Sequence, residues 1–505
     1  MSGGGVLLRA PVFASILGAC LAEPTAPGTH DTATAPDTAG HTGDTAPDTA
    51  RDTAPTDTDT AGDTAADPAQ PPLSLAPVWQ GEGLATKDRY GFSVASAGDV
   101  NGDGFDEVLV GVRNSHLDWL LEGAVYLHAG GPGGPSPSPS WELRGGVPEA
   151  FLGEAVAGVG DVNGDGFDDV VVAAANHPTE SGGNGRVYLF RGSAGGLQTE
   201  PDWTYDSENQ GSWLGRSVAG AGDVNGDGYA DVLIGEKYYG SALRPAEGRV
   251  HLFFGSLAGL RPDPDWTYAS GQAGAMLGFS VAGAGDVNAD GFADVIVGAA
   301  FWDGAAPEEG TAWVFHGSPF GLGRAPSWSA EPAGPNSLCG YPVSSAGDVN
   351  GDGYDDVVMG CMSHTGTHPA EGMVRLYHGS ATGLAGAAWE RFGQQEGAHL
   401  GQAVSGGCDV DADGYDDVLV AASGVSNGHE GEGAASLHRG GPGGPDPTAA
   451  WSWEPDLAAA GLANASACAG DVDGDGVDDV ILGAIGWSGA GAESGAAWVF
   501  TGQRR

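Results

Sequence analysis

A seven-bladed β-propeller is the fold the sequence predicts, and three observations carry it. An acidic nine-residue phrase recurs seven times, beginning at Asp99, Asp161, Asp223, Asp286, Asp348, Asp409 and Asp471, with successive spacings of 62, 62, 63, 62, 61 and 62 residues. Self-similarity at a fixed period is the signature of a repeat architecture. Glycine supplies 91 and proline 31 of the 505 residues, a density of backbone punctuation that excludes a mostly helical protein and favours short strands joined by turns. Each repeat also holds four strand-like segments, the number a propeller blade requires.

The elements run in one order. A small-residue stretch such as Ser217–Gly222 leads into the acidic phrase, and a branched run such as Val232–Gly235 follows it. After a loop of variable composition comes a third strand such as Arg249–Phe254. A Gly-Ser or Gly-Gly turn then leads to a strand marked by tryptophan: Trp79, Trp141, Trp203, Trp266, Trp328, Trp389 and Trp451 or Trp453. These tryptophans are expected to pack between blades. The Trp79 strand precedes the first acidic phrase, and the last strand-like stretch, Trp498–Gly502, is a third-strand sequence. Blade 7 therefore lacks an outer strand of its own. Residues near Val78 and Trp79 are expected to supply it, closing the ring and removing two open edges.

Three segments are expected along the chain. Residues 1–20 read as an export signal, with Arg9 as the charged region and Ala10–Ala19 as a short apolar stretch. Leu17-Gly18-Ala19-Cys20 resembles a bacterial lipobox, which makes Cys20 the lipidated residue and the destination the outer membrane or cell surface; an ordinary cleaved signal, giving a secreted protein, is the alternative. Residues 21–72 cycle through Asp, Thr, Ala and Pro, and Glu23–Pro72 holds no aromatic residue and no Val, Ile, Leu or Met. With nothing to bury, this stretch is expected to be a disordered tether. Residues 73–505 form the propeller.

Charge narrows the partners. Lys and Arg number 19 against 67 Asp and Glu, for a formal net charge of −48. That balance argues against nucleic acid and against anionic membrane surfaces, leaving an N-terminal lipid as the only membrane attachment expected. Bound cations become the natural counter-charge.

The acidic phrase reads D-x-[DN]-x-D-G-x-x-[DE]. Positions 1, 3, 5 and 9 carry oxygen side chains, position 7 offers a backbone carbonyl, and Gly at position 6 permits the sharp turn that wraps a chain around an ion. A hard cation, calcium above all, suits that spacing. The expected donors are Asp99, Asn101, Asp103, Phe105 and Glu107 in loop 99–107, and Asp161, Asn163, Asp165, Phe167 and Asp169 in loop 161–169. In loop 223–231 they are Asp223, Asn225, Asp227, Tyr229 and Asp231, and in loop 286–294 Asp286, Asn288, Asp290, Phe292 and Asp294. Loop 348–356 supplies Asp348, Asn350, Asp352, Tyr354 and Asp356, and loop 409–417 supplies Asp409, Asp411, Asp413, Tyr415 and Asp417. The last, loop 471–479, supplies Asp471, Asp473, Asp475, Val477 and Asp479. An EF-hand needs a bidentate Glu at position 12, where this chain has Val110, Val172, Ile234, Val297, Met359, Val420 and Leu482. The loops therefore join strands, not helices. They hold 28 of the 67 acidic residues, and such crowding is costly without a cation. Solvated turns, with Asp and Gly serving geometry alone, are the bland reading; seven loops in register favour calcium, up to seven ions.

The assembly resembles the FG-GAP repeats of the integrin α-subunit propeller, also found in bacterial exported proteins, over about residues 77–502. Its hallmarks here are the Leu-Gly openings Leu214-Gly215, Leu277-Gly278 and Leu400-Gly401, the acidic loop, and Gly298-Ala299-Ala300 at a second-strand end. Repeat 7 departs from the pattern, with Ala463 for the opening glycine and Val477 for the aromatic. The resemblance implies calcium loops on one face of the disc and ligands on the other. That other face carries Trp119, Trp213, Tyr238, Tyr239, Phe301, Trp302 and Trp487, of which Trp119, Trp213, Tyr238, Tyr239, Trp302 and Trp487 are the candidate ligand contacts, with loop-against-loop packing as the alternative.

No catalytic constellation stands out, and a non-enzyme is expected. Gly424-Val425-Ser426-Asn427-Gly428 matches a nucleophile elbow but sits in a glycine-rich loop, not a strand–turn–helix. His364, His368 and His429 are expected to face solvent. Cys339 and Cys361 flank the Asp348 loop nearly symmetrically, so a hairpin would set them opposite each other for a disulfide; Cys408 and Cys468 fall near the same point of neighbouring repeats. The expected function is binding or adhesion to an extracellular protein or glycan. The alternatives are an extracellular polysaccharide-acting, lyase-like enzyme and a scaffold within an envelope complex.

Overall fold

The computed structural model describes residues 71–504 apart from 75, 181–183 and 331–332. The export signal, Cys20 and nearly all of the 21–72 segment lie outside the described residues. Among those residues there are 28 strands and no helix. They form seven four-stranded antiparallel sheets, six of them folded in sequence order and the seventh completed by the first strand, so the molecule is a seven-bladed β-propeller. Blade 1 shows the pattern: an inner strand (Tyr90–Gly98), a second (Glu107–Val112), a third (Ala124–His128) and an outer strand (Trp141–Arg144).

The second strands are the apolar heart of each blade. Every residue of Glu107–Val112, Asp231–Glu236, Asp294–Ala299, Asp356–Cys361, Asp417–Ala422 and Asp479–Ala484 is buried, because a central strand covered on both faces needs a continuous branched run. The inner strands are rich in glycine and alanine for a steric reason. A Cβ at Gly158, Gly220, Gly283 or Gly406 would lie between 2.7 and 3.1 Å from the backbone of the preceding inner strand. Only small residues let seven inner strands converge on one axis.

Blade-to-blade packing is repetitive. Each outer-strand tryptophan meets, edge on, the ring near the end of the next blade's third strand: Trp141 on Phe190, Trp203 on Phe253, Trp266 on Phe315, Trp328 on Tyr377 and Trp451 on Phe500. The indole N–H of Trp203 also donates to Arg261 O at 2.8 Å, and that of Trp141 to Gln198 O at 3.0 Å. Such ring pairs add about 0.5–1.5 kcal/mol each beyond area burial.

The ring closes as the phase of the repeat predicts. Blade 7 comprises Leu462–Gly470, Asp479–Ala484 and Ala496–Phe500 with Trp79–Glu82 as its outer strand, in register Trp79↔Val499 to Glu82↔Ala496. Trp79 then packs on His128 of blade 1 and donates to Ser136 O. Two disulfides are present. Cys339 and Cys361 are register partners in the first hairpin of blade 5, and Cys408–Cys468 joins the inner strands of blades 6 and 7.

A chain that begins at Gly83 has no outer strand for blade 7 and leaves Ala496–Phe500 as an open edge. Loss of the single cooperative melt, with concentration-dependent association in sedimentation, is the outcome expected for that truncation.

Candidate functional site

The seven acidic loops lie where each inner strand turns into its second strand, so all seven share one face of the ring. Their shape is written in backbone hydrogen bonds. Asp99 Oδ1 accepts from Gly102 N at 2.7 Å and Asp103 N at 3.1 Å, and its Oδ2 accepts from Gly104 N at 2.9 Å. Asp161, Asp223, Asp348 and Asp471 repeat this set. Asp286 and Asp409, followed by Ala289 and Ala412 in place of the fourth-position glycine, accept from positions 5 and 6. The position 5 carboxylates Asp103, Asp165, Asp227, Asp290, Asp352, Asp413 and Asp475 each accept from the amide two residues on, which belongs to Phe105, Phe167, Tyr229, Phe292, Tyr354, Tyr415 and Val477.

Position 9 is the buried end of the set. Asp231 is fully buried, its Oδ2 accepting from Val224 N at 3.0 Å and its Oδ1 from Gly255 N at 2.9 Å. Asp169 and Asp294 do the same. Burial, with repulsion from the other loop carboxylates, pushes Asp169, Asp231 and Asp294 up to about 7 and Glu107, Asp417 and Asp479 up to about 8. Position 3 varies: Asn101 donates to Glu107 Oε1, Asn225 and Asn350 accept from the position 5 amides, and Asn163 is buried. Asn288 Oδ1 is buried with no hydrogen-bond partner among the described residues. In loops 6 and 7 the ligand atoms of Asp409, Asp411 and Asp417, and of Asp471, Asp473 and Asp479, lie within 4.8 Å of one another. An all-oxygen donor set, short of counter-charge and with an orphaned carbonyl, fits a hard divalent cation.

The loops are not equivalent. In loop 6 the Arg439 guanidinium lies 2.7 Å from Asp411, both side chains being buried. In loop 5 His378 Nδ1 lies 2.9 Å from Asp356 Oδ2. These loops carry a cationic or proton-bearing group of their own.

Position 8, outside the expected donor set, links neighbouring loops. Asp168 Oδ2 accepts from Asp99 N at 3.0 Å, and Asp355, Asp416 and Asp478 accept from Asp286, Asp348 and Asp409 in turn. Asp106 joins the last loop to the first by accepting from Asp471 N at 2.8 Å. The sequence signal is the acidic pair at positions 8 and 9, present in five loops and replaced by Ala230 and Ala293 in the other two.

On the opposite face the candidate aromatics separate. Trp119 is 52% exposed. Trp302 packs on Trp313 and lines a cavity of about 310 Å³, Trp487 packs on Trp498, and Tyr239 lies under the Arg249 guanidinium at 3.9 Å. Trp213 and Tyr238 stand together at the channel mouth, over Lys237, whose ammonium is 4.4 Å and 4.8 Å from their ring centres. With Lys237 come Arg113, Glu154 and Arg216, a charged cluster that the linear sequence does not bring together. His364, His368 and His429 belong to separate contacts, with Ser337, Glu371 and Glu432.

A seven-bladed propeller with an acidic strand–turn–strand loop in every blade is a defined class, and sequence comparison names it. The profile of the FG-GAP repeat matches residues 90–128, 277–315, 341–364, 400–438 and 463–500, and that of the FG-GAP-like repeat matches 161–234. Together these spans take in half of the chain and touch all seven blades. The chain belongs to the FG-GAP repeat family, and its propeller is integrin-α-like. Integrin alpha-6 of Gallus gallus is 36% identical over 171 residues, 32% of this chain and 15% of that protein. Integrin alpha-IIb of Homo sapiens is 38% identical over 164 residues, 31% of this chain and 15% of that protein. The match thus takes in about 15% of the length of these relatives. An exotype rhamnogalacturonan lyase, YesX, has a TM-score of 0.41 at 14% identity, covering 84% of this chain and 75% of that one, too slight a likeness to bear on function.

Asp161→Ala deprives the amides of Gly164, Asp165 and Gly166 of their acceptor. At roughly 1 kcal/mol per bond, a loss of about 2–3 kcal/mol is expected in chelator-containing buffer, read by denaturant unfolding. The exposed Glu200→Ala should change nothing.

Proposed function

We propose that this chain is a calcium-stabilised, non-catalytic binding module presented outside the cell, its acidic face holding structural ions and its opposite face engaging an extracellular protein or polysaccharide. The observation that carries this reading is the set of seven oxygen-only loops on one face, whose buried position 9 carboxylates are met mainly by backbone amides, with His378 in loop 5 and Arg439 in loop 6 as exceptions. In each loop the side chains at positions 1, 3, 5 and 9 would hold the ion, and bound calcium would supply positive charge there and nothing further. Seven divalent ions, +14, would take the formal charge from −48 to −34. The reading of Cys20 as a lipid anchor and of 21–72 as a tether rests on sequence alone, and places the module on the cell surface.

One observation favours the alternative of an enzyme acting on extracellular polysaccharide: the cluster of Arg113, Glu154, Arg216 and Lys237 at the channel mouth. Release of new reducing ends from a polysaccharide panel would establish it.

Calcium is expected to raise the melting temperature and EDTA to lower it. At free calcium a hundredfold above Kd, each occupied loop contributes about 2.7 kcal/mol. Loop 6, with Arg439 on Asp411, should be the weakest. Arg439→Thr, which installs the residue that blade 7 carries as Thr501, should raise the bound calcium per chain by one, measured by metal analysis after gel filtration. Calcium that neither binds nor shifts the melt would sink this reading. For the ligand face, a glycan array run in calcium and in EDTA should show selective binding that the chelator removes.

A further inference from the structure

The channel mouth opposite the acidic loops concentrates positive charge in a protein that has little of it. Its construction follows from the inner strands. In blades 1, 2 and 3 the register between inner and second strand slips between Tyr90 and Ser93, Leu152 and Ala155, and Leu214 and Ser217. A bulge re-aims a side chain, and the residues at these bulges are Phe92, Glu154 and Arg216. The second strands end beside them, followed by Arg113 in blade 1 and Lys237 in blade 3. Strand geometry thus gathers three cations and one carboxylate from three blades.

Their charges do not balance. Arg113 bonds Glu154 through Nε, and Arg216 Nε lies 3.6 Å from the other oxygen of the same carboxylate. Glu154 has a side chain only 2% exposed and is held below its usual range, its three cationic neighbours outweighing burial. Among the described residues it is the only carboxylate that pairs with either arginine, and no acceptor reaches the Lys237 ammonium, although Lys237 is only 6% exposed. Burial, reinforced by the two guanidiniums, pushes that amine down to about 7. Aromatic rings hold the cations in place: Arg113 lies 4.2 Å from the Phe151 ring centre, Arg216 4.4 Å from that of Phe279, and Lys237 4.4 Å from that of Trp213. Ring faces stabilise cations but do not neutralise them. The cluster is one to two anions short.

We propose that this mouth is a binding site for a carboxylated sugar, a uronate residue whose carboxylate completes the Arg113–Arg216–Lys237 cluster while its ring lies along Trp213 and Phe151. The inference names the ligand class of the face that the binding-module reading leaves open, and so rests on that reading. A sugar suits the site because planar rings stand beside the cations, giving a stacking surface next to a charge anchor. A short uronate or a chain end suits it better than a long polyanion, which the net charge of −48 would repel over the rest of the surface.

The test is calorimetric titration of the calcium-loaded full chain with tri-galacturonate, with maltotriose as neutral control and a sulfated trisaccharide as the second anion. The uronate should bind, maltotriose should not, and the sulfated sugar should be at least tenfold weaker. Lys237→Met, which keeps the packing against Trp213, should cost at least tenfold in affinity with the melting temperature held. Glu154→Gln should act in the opposite direction, strengthening binding severalfold because the protein's own carboxylate no longer competes. Should either variant fail to fold, wild type decides: tri-galacturonate should raise its melting temperature and maltotriose should leave it unchanged. No uronate binding by folded wild type, equal binding of the sulfated sugar, or unchanged affinity in a folded Lys237→Met would overturn the assignment. If uronates are silent while the same preparation binds neutral glycans or a protein, this inference falls and the binding-module reading stands; silence toward every ligand removes both.

Discussion

Each blade buries a carboxylate at the joint where its acidic loop enters the second strand. Glu107, Asp169, Asp231, Asp294, Asp356, Asp417 and Asp479 are at most 1% exposed. In most blades one oxygen of this group accepts from the amide of loop position 2 and the other from the glycine after the third strand, as in the bonds of Asp294 to Val287 N and Gly317 N. A single side chain therefore fastens the loop, the strand and the turn of the next hairpin. Burying it ionised costs several kcal/mol unless charge is supplied nearby. The protein meets that demand with backbone amides everywhere, with His378 in loop 5 and with Arg439 close by in loop 6. What the amides do not offset is the demand that a divalent ion would meet.

The two ends of the channel carry opposite imbalances. The acidic loops have carboxylates in excess and the far mouth has cations in excess, although both are built by the same inner strands. At one end five of the seven joints between neighbouring Asp-rich turns are bridged by a side chain, through Asp106, Asp168, Asp355, Asp416 and Asp478. At the other end bulges in three consecutive inner strands project Phe92, Glu154 and Arg216 to one spot. The same slip recurs in blades 5, 6 and 7, so the backbone keeps its symmetry and the charged side chains placed on it distinguish blades 1 to 3.

Much of this was legible in the sequence, and for physical reasons. Spacing alone establishes seven blades, because every blade needs the same four strands. The offset between the Trp79 strand and the terminal Trp498 strand reveals the closure, because an unpaired edge must find a partner. The strand tryptophans were readable as inter-blade packing since they recur with the blade period. The mouth cluster was not readable: Glu154 and Arg216 share one repeat position and Arg113 and Lys237 another, and only three-dimensional closure of adjacent blades brings the two positions within ion-pair distance. The same holds for Arg439, which looks like an ordinary strand-end residue until Asp411 is placed beside it. Among the candidate aromatics, type and exposure diverged. Trp302 and Trp487 were singled out for lying in loops, yet both rest on third-strand tryptophans, Trp313 and Trp498, whereas Trp213 and Tyr238 join a charged site.

The central claim is that one face of the ring is a cation face. Crystals of the propeller grown in calcium, measured at a long wavelength where calcium scatters anomalously, test it directly. The account predicts anomalous peaks within the acidic loops, each among the oxygens of positions 1, 3, 5 and 9, with the loop beside Arg439 weakest or empty. Loops free of anomalous density at millimolar calcium, with their carboxylates turned to solvent, would contradict it.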